Sequence, residues 1–127
     1  MEQNIMTDRR AKAKEIVSEM ISPEIAELMA DSENSSSFGA QLAGLALDNA
    51  FGALWTRPGL GRRDRSLVTL GILIALRATD ELQIHIPAAV KNGLTQDEIA
   101  EVIYHSSGYA GFPAASAALR VARDVIK

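Results

Sequence analysis

No cysteine occurs in the 127-residue sequence, which excludes disulfides, thiolate zinc sites and thiol redox chemistry. Aromatic residues are scarce, 5% against 47% hydrophobic residues overall, so the core must be built from Ala, Leu, Ile and Val. That is the composition of closely packed helices rather than of a sandwich. A basic excess is also missing: a formal charge of -3 and a pI near 5.3 argue against general nucleic-acid binding, which needs a basic face to displace counterions from phosphates. The longest apolar run, residues 67–76, falls well short of the roughly 20 residues that cross a bilayer. The first stretch, MEQNIMTDRRAKAKEIV, mixes acids and bases without an apolar segment, so no secretory leader and no membrane partner are expected, and the expected location is the cytoplasm.

What is present reads as helices. In residues 7–21, Ala13, Ile16, Val17 and Met20 fall at helical spacing with charged residues opposite. Ser22-Pro23-Glu24 supplies an N-cap, a proline at the first helical position and an early acid for a second helix to about Ala30. After the polar loop DSENSSS, residues 38–55 carry a helical pattern at Phe38, Leu42, Leu45, Ala46, Asn49, Ala50, Ala53 and Leu54. Arg57-Pro58-Gly59 ends that helix, and residues 62–77 form another, apolar on nearly every side, which belongs at the centre of a bundle. Residues 79–93, TDELQIHIPAAVKNG, begin at a candidate N-cap, Thr79, and close at Asn92-Gly93. Thr95-Gln96-Asp97-Glu98 is a capping box, and Phe112-Pro113 opens a last helix whose small residues allow close contacts. With no strand pattern and no repeat, the expectation is an all-α, single-domain bundle of about six helices over residues 1–127.

The chemistry concentrates around residues 55–85. Glu81 and His85 stand four residues apart on one helix face, where a carboxylate can fix an imidazole's tautomer and raise its basicity. An exposed pair of this kind is also ordinary helix decoration. The neighbours Leu82, Ile84, Ile86, Ala88 and Ala89 are apolar, however, and imply a partly buried His85, a good proton carrier near neutral pH. Pro87 removes one hydrogen bond, to the carbonyl of Gln83, and is expected to kink or locally open the helix; it is either tolerated or sets the angle of His85. A metal site is disfavoured: only two histidines exist, His85 and His105, and neither Glu-x-x-His repeats nor His-Glu-x-x-His occurs. Arg57, Arg62, Arg63 and Arg65 gather at a helix start, where cations oppose the helix dipole. They are either a solvated face or the anchor of a substrate carboxylate.

Trp55-Thr56-Arg57-Pro58-Gly59-Leu60, Arg62-Arg63-x-Arg65-Ser66-Leu67, Glu81-Leu82-x-x-His85 and Tyr109-Ala110-Gly111-Phe112-Pro113-Ala114-Ala115, in this order and spacing, resemble the carboxymuconolactone decarboxylase family, within the alkylhydroperoxidase D-like fold. The resemblance covers roughly residues 51–126, with residues 1–50 as looser N-terminal helices. In the redox branch of that superfamily a Cys-x-x-Cys-x-x-x-His motif would place cysteines at Ala78 and Glu81; here a thiol peroxidase mechanism is impossible.

The resemblance implies helical subunits assembled as trimers or hexamers, no metal or organic cofactor, and a small carboxylate or lactone substrate. It implies decarboxylation of 4-carboxymuconolactone or a related lactone acid, with His85 and Glu81 catalytic, Arg62 or Arg65 anchoring substrate and Trp55 as an apolar wall. The alternatives are another lactone or isomerase reaction at the same dyad, or a non-catalytic oligomer that binds a small aromatic or lactone acid. A DNA-binding module, suggested by Arg62-Arg63-Asp64-Arg65, runs against the acidic balance.

Overall fold

In a computed structural model of the chain, the backbone is described for residues 2–126 and the side chains for residues 8–126, so the two ends of the expected 1–127 domain lie outside the described residues. Among these there are seven α-helices and no strand: α1 Glu2–Met20, α2 Pro23–Ala30, α3 Gln41–Ala46, α4 Arg62–Ala75, α5 Thr79–Lys91, α6 Gln96–Ala110 and α7 Phe112–Val125. A π-helix, Leu47–Trp55, continues α3. The all-α expectation is met. The chain forms two compact units, Met1–Leu60 and Gly61–Lys127.

In the first unit α1 buries the expected face, Ala13, Ile16, Val17 and Met20. Ser22 caps α2 as its sequence requires, its Oγ accepting from the Ile25 N–H at 3.1 Å. Arg10 joins these helices to the next. Its Nε and Nη2 donate to the two carboxylate oxygens of Asp48 at 2.9 and 2.6 Å, and its Nη1 donates to the Ala30 carbonyl at 3.2 Å, at the C-terminal end of α2. Such a fork-to-fork pair is stronger than a neutral hydrogen bond, and the bond to Asp48 raises the guanidinium pKa above its ordinary value.

The helix expected over residues 38–55 differs in start, winding and face. It begins at Gln41, turns into a π-helix at Leu47, and buries Gly44, Leu47, Phe51 and Gly52, while Phe38, Leu42, Leu45 and Leu54 are exposed. Apolar residues surround this segment, so periodicity alone leaves two candidate faces. The packing selects the side with the glycines. A Cβ on Gly52 would stand 2.8 Å from Arg9 Cγ, and one on Gly44 would stand 2.9 Å from Ser32 Oγ. The i→i+5 winding then shifts the phase of every later side chain.

The second unit has a continuous apolar core made of Leu70 and Ile74 of α4, Leu82, Ile86 and Ala89 of α5, Ile99 and Ile103 of α6, and the small residues Ala114, Ala115, Ala118 and Ala122 of α7. Its local signals are obeyed. Thr95 and Glu98 form the capping box in full, and Gly93, at φ 107°, and Gly111, at φ 96°, end α5 and α6.

Two expectations are corrected. α4 does not sit inside a ring of helices: α5, α6 and α7 cover one side, and Val68, Ile72 and Leu76, four residues apart, are 53%, 53% and 70% exposed. Thr79 is the first residue of α5 and not its cap, which is Ala78 without a side-chain hydrogen bond. The cause lies in the turn before it. Arg77 adopts a left-handed φ of 54°, and the N–H groups of Arg77 and Ala78 bond back to Ile74 and Leu73 at 3.1 and 2.9 Å, so the chain leaves α4 and enters α5 without a spare residue.

Candidate active site

His85 lies in the middle of α5, flanked by the buried residues Leu82, Ile86, Ala88 and Ala89. It is half-buried, as its apolar neighbours imply. Burial pushes its imidazole pKa below the ordinary 6.5, and the exposed Glu81 carboxylate one turn earlier opposes that shift. Desolvation outweighs the Glu81 charge, so the imidazole gives up its proton more readily than a free one. α5 runs unbroken from Thr79 to Lys91 through Pro87, itself half-buried, so the helix that carries His85 is not opened there.

The arginine-rich start of α4 is fixed on two sides. Arg63 pairs with Glu98 in the first turn of α6, and its Nη1 lies 3.8 Å from Asp64. Glu98 is thereby a member of both the capping box and this ion pair; the Thr95 N–H, first, and Arg63 hold its carboxyl below the usual range. Ser66, 2% exposed, receives a 3.0 Å hydrogen bond from the Asn92 amide at the end of α5. This bond ties the start of α4 to the end of α5. Arg62 and Arg65 are half-buried beside these anchors.

The expected residues belong to both units. His85, Glu81, Arg62 and Arg65 belong to the second unit, whereas Trp55 belongs to the first, stacked on Phe51 with ring centroids 6.2 Å apart. His105 is exposed on α6 and touches the Tyr109 ring at 5.2 Å. With Gly71, Ala75, Ser106, Tyr109 and Ala110 it lines an open groove of about 340 Å³ between α4 and α6, which His85 does not line. Glu98 and Asn92 were not singled out as partners of the α4 start: each acts on a residue 26 to 35 positions away, and no local spacing encodes that.

A helical unit in which an imidazole with depressed basicity shares a helix with a carboxylate, and whose neighbouring helix begins with a fixed cationic turn, is suited to proton transfer on an anion. The sequence profile of the carboxymuconolactone decarboxylase family matches residues 40–124, taking in α3 and everything after it to the last turn of α7. The chain belongs to this family.

A 4-carboxymuconolactone decarboxylase of Acinetobacter baylyi is 45% identical over 95 residues, which are 75% of this chain and 71% of the relative. A nitrosuccinic acid decarboxylase of Metarhizium robertsii is 43% identical over 77 residues, 61% of this chain and 54% of that relative, so the match spans about half of its length. An uncharacterised 15.0 kDa protein of Paracoccus denitrificans is 36% identical over 81 residues, 62% of this chain and 60% of the relative. Both named relatives are decarboxylases, and the chain is a carboxy-lyase of this family. No helix among the described residues is long and apolar enough to cross a membrane.

Proposed function

We propose that the chain is a cofactor-independent decarboxylase acting on 4-carboxymuconolactone or a related unsaturated lactone acid in the breakdown of aromatic compounds, with Glu81 and His85 managing the proton. The observation that carries this reading is His85: a half-buried imidazole with lowered pKa, one helical turn from a carboxylate, in a chain of this family. In 4-carboxymuconolactone a ring carbon bears the carboxylate, and the conjugated lactone carbonyl receives the electron pair when the C–CO2 bond breaks. The dienolate is then protonated on carbon, giving an enol-lactone, carbon dioxide and no change of oxidation state. Nitrosuccinic acid, the substrate in the second relative's name, obeys the same logic, because carbon dioxide lost from the carbon bearing the nitro group leaves a nitronate.

His85 supplies the proton. The substrate's negative charges raise its pKa on binding, so the imidazole takes up a proton more readily in the complex than in the free protein. Glu81 favours the charged form and orients the ring, and Arg62 or Arg65 positions a carboxylate. The working form is a homo-oligomer, a trimer or hexamer, supported by the uncovered apolar stripe Val68, Ile72 and Leu76 on α4. The test is incubation with 4-carboxymuconolactone, following carbon dioxide and the ultraviolet change of the conjugated ring. Turnover by the wild-type protein is expected. His85→Gln, folded by circular dichroism, should lose about 100-fold or more in kcat/KM; turnover equal to wild type would remove His85 from the mechanism.

A further inference from the structure

The groove between α4 and α6 plays no part in the decarboxylation described above, and His85 is not among the residues that line it. Its shape follows from how the two helices run. Arg63 pairs with Glu98 where both begin, and further along Gly71 and Ala75 of α4 face His105, Ser106, Tyr109 and Ala110 of α6, so the helices lie side by side in the same direction. Between these two levels Leu67 and Val102 pack against the core and fill the space. The groove is therefore stopped at the end nearer Arg63. At about 340 Å³ it has the size of a small-molecule pocket rather than of the long trough that a docked helix needs.

The lining says what kind of molecule fits. Gly71 stands in the interior of α4, where glycine costs helix stability relative to alanine, and the fold does not require it there, because a Cβ would meet no atom within 4 Å. Gly44 and Gly52 admit a neighbouring side chain, whereas Gly71 keeps space open and Ala75, one turn on, adds only a methyl group. Across the gap His105 and Tyr109, one turn apart on α6, have ring centroids 5.2 Å apart and planes tilted by 38°, which gives the groove an aromatic wall. A flat ring fits between that wall and the bare backbone of α4. No carboxylate, guanidinium or ammonium group lines the groove, so a charged ligand would leave water without a counter-charge. The polar groups are the His105 imidazole and Ser106, whose hydroxyl donates to the Val102 carbonyl at 2.7 Å and keeps its own lone pairs for an incoming donor.

We propose that this groove is a binding site, separate from His85, for neutral aromatic compounds of one or two fused rings that carry a hydroxyl. The ring lies over Gly71 and Ala75 against His105 and Tyr109, and the hydroxyl donates to Ser106 Oγ. No bond is made or broken there.

The probe is 2-naphthol, measured by equilibrium dialysis against the whole chain. Saturable binding with a Kd of about 0.1–1 mM is expected for a ligand of this size in an open groove. Decahydro-2-naphthol keeps the hydroxyl but is neither flat nor aromatic, and 2-naphthoate has a charge in place of the hydroxyl; each should bind at least about fivefold more weakly. Gly71→Leu fills the groove from a position with free space and should weaken 2-naphthol binding at least about tenfold. Tyr109→Ala, at a residue 86% exposed, removes the wall and should weaken it about fivefold. Both variants are checked for folding by circular dichroism. His85→Gln should bind 2-naphthol within about twofold of wild type, which keeps this site apart from the decarboxylase reading.

Absence of saturable binding in wild type, equal binding of the three compounds, or unchanged binding in either folded variant overturns the inference. An equal loss in His85→Gln overturns it as well, by making the groove part of the substrate site. A smaller assembly for Gly71→Leu than for wild type in analytical ultracentrifugation overturns it by making the groove the seat of a second copy. None of these results bears on turnover of 4-carboxymuconolactone by the wild-type protein, so the two readings fail separately.

Discussion

The two units solve the same problem, packing short helices without aromatic bulk, by different means. Gly61–Lys127 relies on a continuous apolar core and on local signals at the helix ends. Met1–Leu60 adds to its own buried residues, Val17, Met20 and Leu47 among them, a long-range polar clamp, Arg10 to Asp48, and glycines that let α1 and Ser32 approach the segment after Gln41. The contrast teaches where a helical sequence is self-explanatory. Caps and apolar stripes act over three or four residues and are visible in the sequence; a clamp between residues 38 positions apart is not.

Three tests sharpen the contrast, in order of size. Leu82→Ala, at a residue 1% exposed in the core of the second unit, should cost about 2–5 kcal/mol in denaturant unfolding. A loss below about 1 kcal/mol would show that this core is not what holds the unit. Asp48→Ala strands the Arg10 guanidinium. Because the two side chains remain 25% and 36% exposed, the cost should be about 1–3 kcal/mol, less than for a fully buried pair. An Asp48→Ala protein as stable as wild type would reduce the clamp to decoration.

The third test pairs two glycines. Gly71→Ala in α4 meets nothing within 4 Å and should stabilise by about 0.5–1 kcal/mol, as expected for glycine in a helix interior. Gly44→Ala should gain nothing or destabilise, since its Cβ would come within 2.9 Å of Ser32 Oγ, a buried oxygen without a hydrogen-bond partner. Thermal melts of the two variants give the comparison, and equal gains would contradict the close approach.

The sequence anticipated much of the second unit because its determinants are local. The Thr95–Glu98 box, Gly93 and Gly111 all act within one turn of themselves. Thr79 was misassigned because a left-handed arginine does a glycine's work just before it, and nothing in the side chain of Arg77 announces that φ. The face of residues 38–55 was misread because the segment is apolar all round and its burial is decided by distant glycine contacts. α4 was placed too deep, since apolarity on every side does not say whether neighbours come from the same unit.

At the site, the half-burial of His85 followed from the apolar residues around it, while the anchoring of the arginine turn by Glu98 and Asn92 required the fold. Trp55 is near the arginines in sequence and belongs to the other unit.

The lowered pKa of His85 also has a sign in stability. The unfolded state binds the proton more readily, so stability contributed at this position is present above pH 6.5 and falls as the pH drops from there toward the folded value. The same shift gives the most direct test of the central claim, that His85 carries the proton of a decarboxylation. The pH dependence of kcat/KM and kcat is measured on 4-carboxymuconolactone for wild type and His85→Gln. If the charged imidazole is the acid, kcat/KM reports the free protein and falls with rising pH from a midpoint below 6.5, and kcat, reporting the complex, falls at a higher pH. His85→Gln flattens both limbs. A kcat/KM that is level or rising across pH 5 to 8, or limbs that survive in His85→Gln, would contradict the account.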